Sequence, residues 1–470
     1  MGLAALATRL AAREVSAREM VEEAFSRIRR TDPDLHAVVA LREEAVEDAR
    51  ALDDAIAAGA EAGPLAGLPV LVKDVTDVAG MRTTFGSRWF AGAPAATADG
   101  LVPARLRAAG GIVVGKTNTP EFATEAYTSN LLFGTTGNPW RRDAAPGGSS
   151  GGSAAALASG MVPIATAADG GGSVRIPAAW CGLVGLKPTN GTIGRDAVPD
   201  WIDFSTDGAI GTSVADIRLL LGVMAGPVAG DPTALPGPWP EARPPVSRLF
   251  CIDRWTGSAP LPPEVAASFG HALGRFQEVL GLAARRVDAG RLFGEADLDA
   301  DWFVIAGAEH AHRLGRERIE ARGDELHPAA RGFLEDGLKV PIEGYLAARR
   351  RRFGYVRALD ELLGEDALIC SPVMAMSSCP ADGVMPGADA PGLPPDAYVT
   401  QAQNMTGHPA ISVPAGRSAD GVPFGLQITG PRFRDDLVLD AAEMWERAEP
   451  WPLVADGYMA FDPMGGTDGH

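Results

Sequence analysis

The stretch PGGSSGGSAAALASGMVPIATAADGGGSVRIPAAWCGLVGLKP, residues 146–188, decides how the rest of the chain is read. Two glycine–serine clusters sit in it, with Ser149 and Ser173 24 residues apart. Between them, an alanine-rich run after Gly152 reads as a helix and the apolar run MVPIATA as a strand. Gly170, Gly171 and Gly172 can take backbone angles closed to other residues, so their amides and that of Ser173 can converge on one point and stabilise an oxyanion. Taken alone, the same glycines also describe a flexible loop, and loop statistics favour that reading.

Outward from this segment, residues 65–225 alternate short β-branched runs, such as LPVLVK and GIVVGK, with glycine-rich loops, the pattern of an α/β core. Residues 1–60 read as helices. Ser16 and Glu19 form a capping box, followed by Met20, Val21, Ala24, Phe25 and Ile28 at helical spacing. Residues 226–246 form a proline-rich connector, because proline lacks the amide proton that helices and sheets need. Residues 263–365 look mainly helical. Residues 366–460 return to the core with the apolar runs ALICSPVMAM, PAISVPAG and PFGLQITG and a final helix. The tail PMGGTDGH has nothing to bury and is expected to fray. One large domain with a helical excursion accommodates all of this.

With 46% hydrophobic and 22% charged residues over 470 positions, the chain can bury a sizeable core. Its formal charge of −18 opposes binding to nucleic acid or anionic membranes. The run Arg349–Arg352 does not reverse this, since consecutive helical residues point about 100° apart and ring the helix; it reads as a solvated face. Cys181, Cys251, Cys370 and Cys379 are too scattered for a disulfide framework or a zinc site, so a reducing cytoplasm is expected. Arginines interrupt the amino-terminal apolar residues before a signal or membrane span can form, and Leu6 breaks a myristoylation pattern.

Two generic motifs need weighing. GGIVVGKT, residues 110–117, satisfies the P-loop spacing, but Ile112, Val113 and Val114 favour a strand over a phosphate cradle. GGSSG, residues 147–151, fits the nucleophile elbow of a Ser-His-Asp α/β-hydrolase, yet RRDAAP before it is a poor strand. None of His310, His312 and His408 is singled out by its context.

In combination, these residues resemble the amidase signature family, whose members carry GGSSGGS followed by DxGGS[IV]RxP. Both occur, at residues 147–153 and 169–177, together with LVKD at 71–74, GKTNTPEF at 115–122, TGNPW at 136–140, GLVGLKPT at 182–189 and GHPAISVP at 407–414. The resemblance implies a single α/β/α domain with a mixed central sheet covered by helices. It implies Ser173 as nucleophile, Ser149 as bridging serine preceded by a cis peptide, and Lys73 as base. The backbone amides of Gly170, Gly171, Gly172 and Ser173 then form the oxyanion hole, with Ser150, Arg175 and Asp169 in support. Gly170 fills the variable place of the second motif. No cofactor or metal is required. The implied substrate is a small carboxamide, linear or cyclic, and a homodimer is allowed.

The A subunit of a glutamine-dependent tRNA amidotransferase resembles the same enzymes and is the alternative. Residues 125–133, 201–204 and the segment after Pro372 are the variable candidates for substrate contact, with Tyr127, Trp201 and Phe204 among them. Lysine is protonated at neutral pH when solvated, but Lys73 follows the apolar run LPVLV, and burial would lower its proton affinity. Asp74 should alternate away from it if this segment is a strand.

Overall fold

The computed structural model describes residues 2–196, 201, 203–236, 243–256, 259–294 and 296–463. Part of the proline-rich connector and nearly all of the tail expected to fray lie outside them. Among the described residues the strands, in chain order, are β1 (Val38–Leu41), β2 (Pro69–Lys73), β3 (Ile112–Thr117), β4 (Ser129–Asn130), β5 (Gly134–Thr135), β6 (Ile164–Asp169), β7 (Val184–Lys187), β8 (Thr206–Gly211), β9 (Arg248–Cys251), β10 (Ala284–Arg286), β11 (Ala367–Pro372), β12 (Ala410–Arg417) and β13 (Pro423–Thr429). An eleven-stranded sheet runs β1-β3-β2-β6-β8-β7-β12-β13-β11-β9-β10, while β4 and β5 form a separate ribbon. The sheet is mixed: β2 lies parallel to β3 and β6, and β9 parallel to β10 and β11, whereas β6, β8, β7, β12 and β13 pair antiparallel. Helices flank it in one large domain.

Local signals explain much of this. The capping box forms as expected: the Glu19 amide donates to Ser16 Oγ, and the Ser16 amide to Glu19 Oε2 at 2.8 Å. The helix it opens, Ala17–Thr31, buries Met20, Val21, Ala24, Phe25 and Ile28 in the core. β2 and β3 are buried throughout, which is why they read as unbroken apolar runs and not as alternation. The P-loop-like residues are simply β3.

The arginine run departs from expectation. Arg349 pairs with Asp203 and Glu309, Arg351 with Asp301, and Arg352 with Asp203. The 100° step does spread these charges around the helix, but Arg349 and Arg352, three residues apart, share Asp203, while Arg351 turns to Asp301.

Two features position the site. The first is helix Gly151–Ala158, sequence GGSAAALA, which is buried at every position and packs on β2, β3, β6 and helix Arg175–Cys181. Only small residues allow that approach. The second follows from parallel pairing: Val70 and Leu71 of β2 register with Ile164 and Ala165 of β6, so both strands end at the same edge, β2 on Lys73 and β6 on Asp169.

Asp169 is held there by a buried network. Its carboxylate accepts from Arg175 Nε and Nη2 at 3.0 and 2.8 Å and from Asn404 Nδ2 at 2.9 Å. Burial alone would raise its pKa, but Arg175 and Asn404 hold it at about 2. Arg175 also donates to Thr400 O, Gln403 Oε1, Gln427 Oε1 and Asn404 Oδ1 at 2.6–3.0 Å, which ties the β6 end to the carboxyl-terminal third of the chain.

Ala155→Leu should force an extra three carbons into the packed helix and cost about 1–3 kcal/mol in urea denaturation. Arg175→Met should cost more, about 3–5 kcal/mol, because it strands a buried carboxylate without its partner. A loss under about 1 kcal/mol for Arg175→Met would contradict the bridging role of the network.

Candidate active site

Lys73 closes a fully buried strand, and only 2% of its surface is exposed. Its amide donates to Thr166 Oγ1 of the neighbouring β6, at 2.9 Å, which fixes the strand end. Its Nζ lies 2.7 Å from Ser149 Oγ. Desolvation pulls its pKa down to about 7, against the upward pull of Asp169 and Asp207. Asp74 is occupied elsewhere, in line with strand alternation: it accepts from Lys116 Nζ at 3.2 Å and from Thr84 Oγ1.

Ser149 is preceded by a cis peptide, Gly148–Ser149. A side chain at Gly148 would collide with the carbonyls of Glu125 and Tyr127, at 2.5 and 2.7 Å, so the tight path to Ser149 requires glycine. Ser150 joins the two glycine–serine clusters through its amide, which donates to Ser173 O at 3.3 Å. Its hydroxyl lies 3.4 Å from both the amide and the carbonyl of Ala168.

The loop after β6 carries Gly170–Ser173. Here the expected four-amide cradle is narrowed. The Gly172 amide donates to Asp169 Oδ1 at 2.8 Å, and its φ of +128° lets the loop turn back on that carboxylate. Among the described residues, the amides of Gly170, Gly171 and Ser173 have no protein acceptor. The loop's carbonyls are pinned from outside: Trp302 Nε1 donates to Gly170 O at 2.9 Å and Thr400 Oγ1 to Gly171 O at 2.5 Å.

Lys73, Ser149, Gly170 and Ser173 line one cavity of about 460 Å³. Phe85, Phe122, Leu101 and Trp201 give it an apolar side, and Arg195, Asp196, Asp207 and Arg313 a charged one. Asp207 is lifted to about 6 by burial, opposed by Arg195 and Lys73. Four of its lining residues, Phe85, Phe122, Ala123 and Trp201, have φ between 54° and 60°, a left-handed backbone that side chains avoid unless their surroundings enforce it. Among the described residues, no histidine lines the cavity. His408 is instead engaged by Thr406 and Asp360, so the Ser-His-Asp arrangement has no support here.

The expected substrate residues divide. Trp201 lines the cavity with its ring against Gly170. Phe204 does not line it: fully buried, it stacks behind Trp201 at 6.4 Å between ring centroids. Tyr127 is also buried, in a cluster with Ile176, Trp180 and Met374 beneath the site. An aromatic residue in a variable segment packs as readily as it binds, and both of these pack. Sequence reasoning misses Trp302, Thr400, Gln403 and Asn404. Asn404 and its neighbours directly precede the GHPAISVP motif, which is the one signal that could point to them; Trp302 sits on helix Leu298–Leu314 with none.

Comparison with known proteins agrees with this architecture. Residues 19–439 match the amidase family model. The chain is 35% identical to an acylamidase of Rhodococcus erythropolis, covering 95% of each protein. It is 34% identical to the A subunit of the glutamyl-tRNA(Gln) amidotransferase from a Cyanothece species, over 94% of this chain and 96% of that one. A bacterial aryl acylamidase of the amidase signature family superposes with a TM-score of 0.86 at 28% identity, covering 96% of each chain. Among the described residues, no helix is long and apolar enough to cross a membrane. A mixed sheet that delivers both glycine–serine clusters and the strand-end lysine to one cavity, together with these matches along nearly the whole chain, shows that the protein belongs to the amidase signature family of amide hydrolases.

Proposed function

We propose that this protein hydrolyses a small carboxamide to a carboxylic acid and ammonia or an amine, with Ser173 as nucleophile, Ser149 as proton relay and Lys73 as neutral base. The observation that carries the reading is the 2.7 Å approach of Lys73 Nζ to Ser149 Oγ in a site dry enough to hold the amine near pKa 7. An amide is a weak electrophile with a poor leaving group, so the reaction needs an activated hydroxyl, a stabilised oxyanion and a proton delivered to nitrogen.

Uncharged Lys73 takes the Ser149 proton while Ser149 takes that of Ser173, whose Oγ bonds to the carbonyl carbon. Negative charge develops on the carbonyl oxygen, where the uncommitted amides of Gly170, Gly171 and Ser173 can receive it. The relay then runs backward: the lysine proton passes through Ser149 to the leaving nitrogen, the C–N bond breaks and an acyl-serine remains. Water, deprotonated by the same route, attacks the acyl-serine and releases the acid, restoring all three groups. Arg175 and Asp169 act by holding the loop. The chain's own residues supply every proton transfer in this scheme.

A second reading, in which the chain is the A subunit of an amidotransferase and draws its ammonia from glutamine, is favoured by the Cyanothece relative's name and identity. Both readings share the acyl-serine. Assays of the purified chain on simple amides and on glutamine separate them, with turnover of simple amides expected and exclusive turnover of glutamine favouring the second.

Ser173→Ala and Lys73→Ala should each lower kcat/KM by about 10³-fold or more while the far-ultraviolet circular dichroism stays native. Near-normal turnover by either variant would refute the roles given. Because the base works unprotonated, kcat/KM should be flat above about pH 7 and fall about tenfold per pH unit below it. A constant value down to about pH 5 would rule out a lysine base.

A further inference from the structure

Beside the main cavity lies a recess of about 20 Å³, bounded by Ser173, Gly171 and Gly148 on one side and by Glu125, Tyr398 and Gln401 on the other. Trp201, Trp302 and Phe303 supply aromatic walls. Its volume suits one group about the size of a water molecule. Two of its polar side chains have no use in the scheme above. Gln401 is 1% exposed, and its Oε1 is buried without a hydrogen-bond partner. Glu125, half-buried, makes no hydrogen bond or ion pair among the described residues.

Once ionised, the Glu125 carboxyl is an acceptor like the Gln401 carbonyl oxygen, and leaving buried polar groups unpaired is costly. The aromatic side chains that line the recess leave it otherwise apolar, so an ionic occupant would be held by these two acceptors. An occupant that answers both acceptors within so small a volume is a compact cation with several N–H donors. Resting on the amidase reading, we infer that this recess takes a primary ammonium group carried one or two carbons from the scissile carbonyl, so that the preferred substrates are amides of small amino acids. The distance limit follows from Ser173 and Gly171 themselves bounding the recess. Burial lifts Glu125 to about 8, which fits a carboxyl that awaits a cationic partner before it ionises. Without such a ligand, nothing nearby compensates its charge.

The test uses 3-aminopropanamide and its neutral isostere butanamide, which differ only in an ammonium for a methyl group. Each is used to protect Ser173 of the full-length protein from labelling by a fluorophosphonate, followed by mass spectrometry, and each is assayed for turnover. The wild type should be protected by the ammonium amide at concentrations lower by about tenfold or more, and Glu125→Gln should erase that ratio. Equal protection by both amides in the wild type would overturn the inference without the need for any variant. So would an undiminished ratio in Glu125→Gln, since glutamine can replace a neutral carboxyl but not a carboxylate. A wild type that is not labelled at Ser173 at all would refute the serine-hydrolase reading itself, a failure distinct from the loss of discrimination.

Discussion

The site depends on keeping a lysine side chain out of water. β2 is buried from end to end, and Lys73, its last residue, is only 2% exposed where it meets the cavity. Desolvation disfavours the ammonium form, but two nearby carboxylates, Asp169 and Asp207, work in the opposite sense. Desolvation outweighs them and leaves the amine near pKa 7, while Asp169 is itself paired with Arg175. The buried arginine therefore has two effects. It anchors the loop that carries Ser173, and it keeps Asp169 ionised, with its pKa at about 2.

Topology turns this local chemistry into a site. Parallel pairing sends β2 and β6 to the same edge of the sheet, where the lysine of one faces the loop that follows the other. The small-residue helix Gly151–Ala158 then brings Ser149 into the same space. Its alanines and glycines contribute little apolar area individually; their value is the close approach they permit. Around this core the cavity walls come from segments of quite different kinds, including four residues with left-handed backbone. Such conformations are expected where a surrounding scaffold over-determines the chain and function benefits from the resulting shape.

Much of this is legible in the amino-acid sequence because its signals are short and local. The capping box at Ser16, the apolar runs of β2 and β3 and the spacing of the two glycine–serine clusters each report on neighbours within a few dozen residues. Residue chemistry also separates the P-loop-like residues 110–117 from a nucleotide site, since β-branched residues favour the strand that β3 forms. What resists reading is long-range. Arg175 meets Thr400, Asn404 and Gln427 across more than 200 residues, and Trp302 reaches Gly170 across 132. No periodicity encodes such contacts. Tyr127 and Phe204 fail as cavity residues for a related reason: residue type and segment do not reveal which face of a loop turns inward. Gly172 is the subtlest case, since its amide is diverted by Asp169, only three residues away, through a turn visible only in three dimensions.

The most direct test concerns the protonation state of Lys73 and needs no substrate. The chain has only four lysines, Lys73, Lys116, Lys187 and Lys339, so a protein labelled with ε-¹³C lysine should give four resolvable resonances, and Lys73→Arg identifies one of them by its loss. That resonance should titrate near pH 7, several units below a solvated lysine. A Lys73 amine that stays charged up to about pH 10 would contradict the central claim, because no neutral base would then exist at the pH where the chemistry is meant to run.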